Sequence, residues 1–175
     1  MASLENSTGR IYWLTGLSGA GKTTIGRLWY EKLKTEGENV VFLDGDELRQ
    51  VFGDDLGYTE ADRRKSAMRN ARLCALLGKQ GFTVVCCTIS MFDSVRAWNR
   101  ENIPGYFEVY IKVTEETLRR RDQKGLYSTA RQDVAGLHVK VEEPKRPDMI
   151  LVNDGAMTPE EQISVLQSAI KNVKE

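Results

Sequence analysis

Gly16-Leu17-Ser18-Gly19-Ala20-Gly21-Lys22-Thr23 fits the spacing G-x-x-x-x-G-K-[ST] of a phosphate-cradling loop. The run Ile11-Tyr12-Trp13-Leu14-Thr15 before it reads as a buried strand, and Thr24 to Leu33 after it carries apolar residues at helical spacing. Gly16, Gly19 and Gly21 let the backbone turn tightly with its N–H groups aimed at an anion, and the following helix adds partial positive charge at its N-terminus. Lys22 is placed to reach outer phosphates, and the Thr23 hydroxyl to ligate Mg²⁺. The alternative, a glycine-rich turn that binds nothing, sits poorly with a full motif between a strand and a helix. A nucleoside triphosphate with Mg²⁺ is the ligand expected at Gly16, Ser18, Gly19, Ala20, Gly21, Lys22, Thr23 and Thr24.

The 175 residues suit one domain with a sizeable core. The 25 basic and 25 acidic side chains cancel, so bulk charge does not point to a nucleic-acid partner. No apolar run has the length of a membrane span, and the N-terminus lacks a signal-peptide core. Cys74, Cys86 and Cys87 form no metal-ligand pattern, and the last two lie in an apolar run. Buried free thiols in a reducing compartment are expected, with the cytoplasm as the default. His138 is the only histidine, which leaves little room for Ser-His or Cys-His catalysis.

Met1 to Arg10 is polar and aperiodic, and reads as a flexible tail before a single domain over 11–175. Further strands are expected at 40–43, 82–89, 107–113 and 149–152. Helices are expected at Thr24 to Leu33, through Leu48 and Val51, from about Thr59 to Lys79, at 94–102, from Thr114 to about Arg121, and from Thr158. The 122–146 stretch has no clean period and holds Lys124, Arg131, Lys140, Lys145 and Arg146, the mark of a functional lid. Strands alternating with helices predict an α/β fold: a five-stranded parallel sheet with helices on both faces, of the P-loop kinase kind.

In such a sheet ligands bind beyond the C-terminal strand ends. The glycine loop, Asp44-Gly45-Asp46 and Ser90 should therefore converge on one crevice. If the extended backbone persists, Asp44 and Asp46 point the same way. One could hold Mg²⁺ through water while the other accepts a proton from an attacking hydroxyl. The third strand has no terminal acid, which suits a small-molecule kinase better than a motor or switch. Lys124 and Arg131 could close over phosphates as charge gathers.

From about Ile11 to Leu151 the chain resembles the adenylylsulfate kinases, which transfer the ATP γ-phosphate to the 3′-hydroxyl of adenosine 5′-phosphosulfate. The glycine loop is similar to the family's GLSGSGKS/T, and Asp44-Gly45-Asp46 with Arg49 to its DGDxxR. Leu56-Gly57-Tyr58 with Asp62-Arg63 resembles LGF…DR, Ile89-Ser90 its IS, and Glu142-x-Pro144-x-x-Pro147 its EAPxxP. Arg121-Asp122-Gln123-Lys124-Gly125-Leu126-Tyr127, ending in Ala130-Arg131, resembles RDPKGLYxxAR and is the most specific of these. The resemblance implies that Lys22 and Thr23 hold ATP and Mg²⁺, and that Asp44 and Asp46 handle metal-bound water and the acceptor hydroxyl. It implies that Arg49, Arg63, Ser90 and the Ile89 backbone hold the acceptor, that Tyr58 stacks on its base, and that Lys124, Gly125 and Leu126 belong to the lid. A homodimer is common among such kinases.

The departures cluster on the acceptor side. Ser66 stands where the family has an acceptor-binding Asn, and Ser90-Met91-Phe92 replaces its SPY. Leu137 stands where a second base-stacking Phe is expected, which removes a contact usually worth ~1–3 kcal/mol. Adenosine 5′-phosphosulfate is the default acceptor. Cytidine diphosphoramidate, phosphorylated by some members in capsule modification, is the alternative, and His138 is a new side chain that a pyrimidine could use. A reading from another class is a regulatory protein that binds ATP without phosphorylating a small molecule; Asp44, Asp46 and Lys124 argue against it.

Overall fold

Along β1 (Ile11–Thr15) the side chains alternate between two cores. Tyr12 and Leu14 face one helical layer, with Ile25, Trp29 and Leu33 of α1 (Lys22–Thr35) and Ile163, Leu166 and Ile170 of α6 (Pro159–Asn172). Ile11 and Trp13 face the other, with Ala67, Ala71 and Cys74 of α3 (Glu60–Lys79) and Val95 of α4 (Asp93–Asn102). This period of two is what a strand buried on both sides requires. Each large apolar side chain so buried contributes roughly 1.5–3 kcal/mol.

The computed structural model describes residues 8–122 and 141–172. The remaining elements are β2 (Val40–Asp44), α2 (Gly45–Val51), β3 (Thr83–Thr88), β4 (Tyr106–Lys112), α5 (Glu115–Arg121) and β5 (Met149–Val152). All five strands are parallel, in the order β2-β3-β1-β4-β5. The two halves wind outward from β1, so the crevice lies at its C-terminal end, where the glycine loop begins.

Two local expectations change. The expected loose tail ends sooner: Gly9 is buried, its N–H donates to Gly78 O at 2.9 Å, and Arg10 O accepts from Val84 N at 2.7 Å. A side chain at position 9 would run into the Phe82 backbone, so only glycine lets the chain pass there. The extended backbone does not persist through Asp44-Gly45-Asp46 either. Asp44 is the N-cap of α2 and takes the Asp46 N–H on its own carboxylate at 2.9 Å, so Asp46 already sits in the first helical turn.

A buried ion network fastens the chain entering β5. Glu108 on β4 is 2 % exposed and meets Arg100 at 2.8 Å and Arg96 at 3.6 Å, the latter too long for a hydrogen bond. Asp148 takes the Glu108 N–H at 2.7 Å and pairs with Arg100 at 3.2 Å. Arg96 also donates to Glu142 O at 2.6 Å and pairs with Asp93. Glu142, singled out in the sequence, is thereby tied to α4, while Lys145 reaches Asp93 at 3.2 Å.

Candidate active site

The glycine loop has the backbone its sequence demands. Gly19 and Gly21 have φ of 80° and 97°, conformations that a side chain strains. Gly21 is also the N-cap of α1, so no side chain caps the helix, and its first turn holds no acidic residue. The first-turn amides and the helix dipole are thus directed at whatever lies in the loop. Lys22 Nζ donates to Leu17 O at 2.7 Å and so lies back over the loop.

The loop opens on a cleft of about 360 Å³ lined by Ser18, Gly19, Gly21, Lys22, Thr23, Thr24, Asp44 and Asp46. On its far side are Arg121, Asn153 and Gln162, none of which the sequence reading assigned to nucleotide binding. Asn153 donates to Ala20 O at 2.7 Å and accepts from Gln162 at 2.8 Å, while Arg121 donates to Asn153 O at 2.7 Å. A Cβ at Gly21 would press on the Asn153 amide, so the bracing residue and the glycine require each other. Position supplied one usable signal: Asn153 directly follows a strand whose C-terminal end faces the crevice.

Thr23 Oγ1 donates to Asp44 Oδ2 at 2.8 Å. Hydroxyl and carboxylate form the all-oxygen donor set that Mg²⁺ prefers, so these residues fit the ion. No group of three His, Cys, Asp or Glu side chains is placed to hold a metal among the described residues.

A second cleft, of about 140 Å³, is lined by Arg49, Tyr58, Arg63, Ser66, Asn70, Thr88, Ile89, Ser90, Met91 and Phe92. Asp46 and Gly45 line both clefts, and so do Thr88 and Ile89. At the mouth, Tyr58 is 54 % exposed, with the Arg49 and Arg63 guanidiniums 4.1 Å and 5.5 Å from its ring centroid. Arg49 donates to Leu56 O and Gly57 O, and Arg63 to Tyr58 O, so the ring's loop is held by the same two cations. Deeper in, Ser90 takes a φ of 31°, unusual for a side-chain-bearing residue, and its hydroxyl lies 2.6 Å from that of Thr88.

Arg49, Tyr58, Arg63, Ser66, Ile89 and Ser90 are thus brought together as the sequence suggested. Lys124, Gly125, Leu126, Arg131, Leu137 and His138 lie outside the described residues. The three thiols are buried and free. Burial pushes Cys87, which lines the first cleft, up to about 12, so that thiol stays protonated; a hydrogen bond with Cys74 together with burial raises Cys86 in the opposite core. No helix is long and apolar enough to cross a membrane among the described residues.

The sequence pattern of the family described as adenylylsulphate kinase matches residues 8–152. A cytidine diphosphoramidate kinase of Campylobacter jejuni is 39% identical over 160 residues, covering 89% of this chain and 93% of that protein. An adenylyl-sulfate kinase of Halothermothrix orenii is 37% identical over 168 residues, covering 94% and 91%. Among solved structures, the Mycobacterium tuberculosis APS kinase in complex with AMPPNP and APS superposes with a TM-score of 0.85 at 32% identity, covering 94% of this chain and 98% of that one. A shikimate kinase of Aquifex aeolicus, at TM-score 0.59 and 16% identity, shares the fold.

Proposed function

The chain belongs to the adenylylsulphate kinase family and is a phosphotransferase, and from that premise we propose that it moves the γ-phosphoryl group of ATP onto the 3′-hydroxyl of a nucleotide in the second cleft. The observation that carries this reading is the placement of Asp46 in the wall common to both clefts. A hydroxyl presented there has a carboxylate on one side and the phosphate loop on the other. Asp46 takes the hydroxyl proton, the oxygen bonds to phosphorus, and the bond to the β-phosphate oxygen breaks to leave ADP. Lys22 and the α1 N-terminus bear the phosphate charge through the transfer. Thr23 and Asp44 would hold Mg²⁺, which neutralises phosphate charge when bound. Lys124 would add a cation from the lid, as the family resemblance implies.

For the acceptor we favour cytidine diphosphoramidate, the compound named for the Campylobacter relative. The favouring features are Ser66 in the second cleft and Leu137, where family members have an amide and a second aromatic ring. Capsule modification in the cytoplasm would be the setting. The second reading is adenosine 5′-phosphosulfate and sulfate assimilation, favoured by Arg49, Arg63, Ile89 and Ser90, which keep the family pattern and line the cleft.

ADP release from Mg-ATP, measured with each acceptor in turn, separates the two. Stimulation by the cytidine compound alone supports the first acceptor, and stimulation by the adenylyl compound alone replaces it with the second. In either case Lys22→Ala and Asp46→Asn should each lower turnover by ~10²–10⁴-fold while melting as cooperatively as the native protein. Native turnover in either variant would remove that residue from the mechanism.

A further inference from the structure

Asn70 is one helical turn beyond Ser66 on α3 and lines the same cleft. It is 2 % exposed, and its Oδ1 has no hydrogen-bond partner among the described residues. A buried amide oxygen without a partner costs stability, and one that belongs to the lining of a cleft is placed where a ligand can complete it. The side chains around it deepen the pattern. Cations and the Tyr58 ring occupy the mouth, whereas Ser66, Asn70, Thr88 and Ser90 make an uncharged, hydrogen-bonding floor. With the base at Tyr58 and the ribose hydroxyl at Asp46, the group on the acceptor's phosphate is what reaches this floor.

We propose that Asn70 selects the acceptor by binding an N–H donor on its terminal phosphate, a task moved one turn along α3 from position 66. This rests on the acceptor reading above and adds the residue that carries the choice. A carboxamide both donates and accepts, and a phosphoramidate, P–NH₂, matches both ends of it. A terminal phosphate or sulfate oxygen only accepts at neutral pH, and leaves the Asn70 Oδ1 unmatched. Sites built to bond a polar group reject analogues that lack it, because their own buried groups are then stranded.

The test compares kcat/KM for cytidine 5′-diphosphoramidate with that for cytidine 5′-diphosphate, which has oxygen in place of the amide nitrogen. Both acceptors are assayed in the same preparation, so the ratio is independent of the folded fraction. The native enzyme should prefer the amidate by ~10–100-fold. Asn70→Leu should bring the ratio close to one, mainly through a higher KM for the amidate, with the KM for ATP unchanged. Asn70→Ala, which also removes the acceptor, gives the same readout should the leucine variant fail to fold. A native preference that survives in the variant overturns the role of Asn70 and leaves the acceptor reading standing. A native enzyme that turns over adenosine 5′-phosphosulfate and shows no preference for the amidate overturns both.

Discussion

Gly21 shows how much a single residue carries in this site. Its φ of 97° shapes the phosphate loop, and its missing side chain leaves room for the Asn153 amide. Gly21→Ala should therefore cost about 1–3 kcal/mol of stability through backbone strain, and raise the KM for ATP by displacing Asn153. Equilibrium unfolding and initial-rate kinetics read the two effects separately. The glycine was legible because its motif is local. Asn153 and Asn70 were not assigned, for two different reasons. Asn153 reaches Ala20 across 133 residues, so no spacing rule links them. Asn70 lies in a helix whose periodicity marks which face is buried, not whether a polar residue on that face meets core or ligand.

At the scale of the element, α3 is the wall of the acceptor cleft and depends on its first turn. Thr59 caps it by accepting from the Asp62 N–H at 3.1 Å, and Arg63, Ser66 and Asn70 follow along the cleft side. Thr59→Ala should lower stability by ~1 kcal/mol and raise the KM for the acceptor more than that for ATP. The capped start at Thr59 was readable from the sequence, as were the strands. The turn from β2 into α2 was not, because Asp44 serves as a cap and so ends the strand two residues earlier than an extended reading of both aspartates needs. At α4, hydrogen bonding from Arg96 holds Asp93 below its ordinary value of 3.8. Asp93 binds its proton more weakly folded than unfolded, so its contribution is present above the ordinary carboxylate range and is lost as pH falls through the lowered value. Thermal melts of the native protein and Asp93→Asn should differ at neutral pH and converge in strong acid.

Across the whole molecule, the nucleotide cleft is assembled from both ends of the chain, with the glycine loop on one side and Asn153 and Gln162 on the other. A ligand bridging them should stabilise the fold as a unit. Mg-ATP at a hundred times its dissociation constant is expected to add ~2.7 kcal/mol, and removing Mg²⁺ with EDTA should abolish most of that shift in Tm. The sequence indicated five parallel strands and the side on which ligands bind, since alternation of strands and helices dictates both. It did not indicate the order β2-β3-β1-β4-β5, which depends on where each crossover lands. Nor did it indicate the Glu108 network, whose members lie on separate elements.

The bond from Asn153 to the Ala20 carbonyl also gives the molecule an order of completion. A ribosome lays down every strand of the sheet before the loop made first acquires its brace, and Gln162, which steadies that brace, comes later still. A chain cut short after Asn153 would leave that amide without its Gln162 partner and the sheet without the share of its core that Ile163, Leu166 and Ile170 supply. Translation thus supplies the loop well before the residues that brace it.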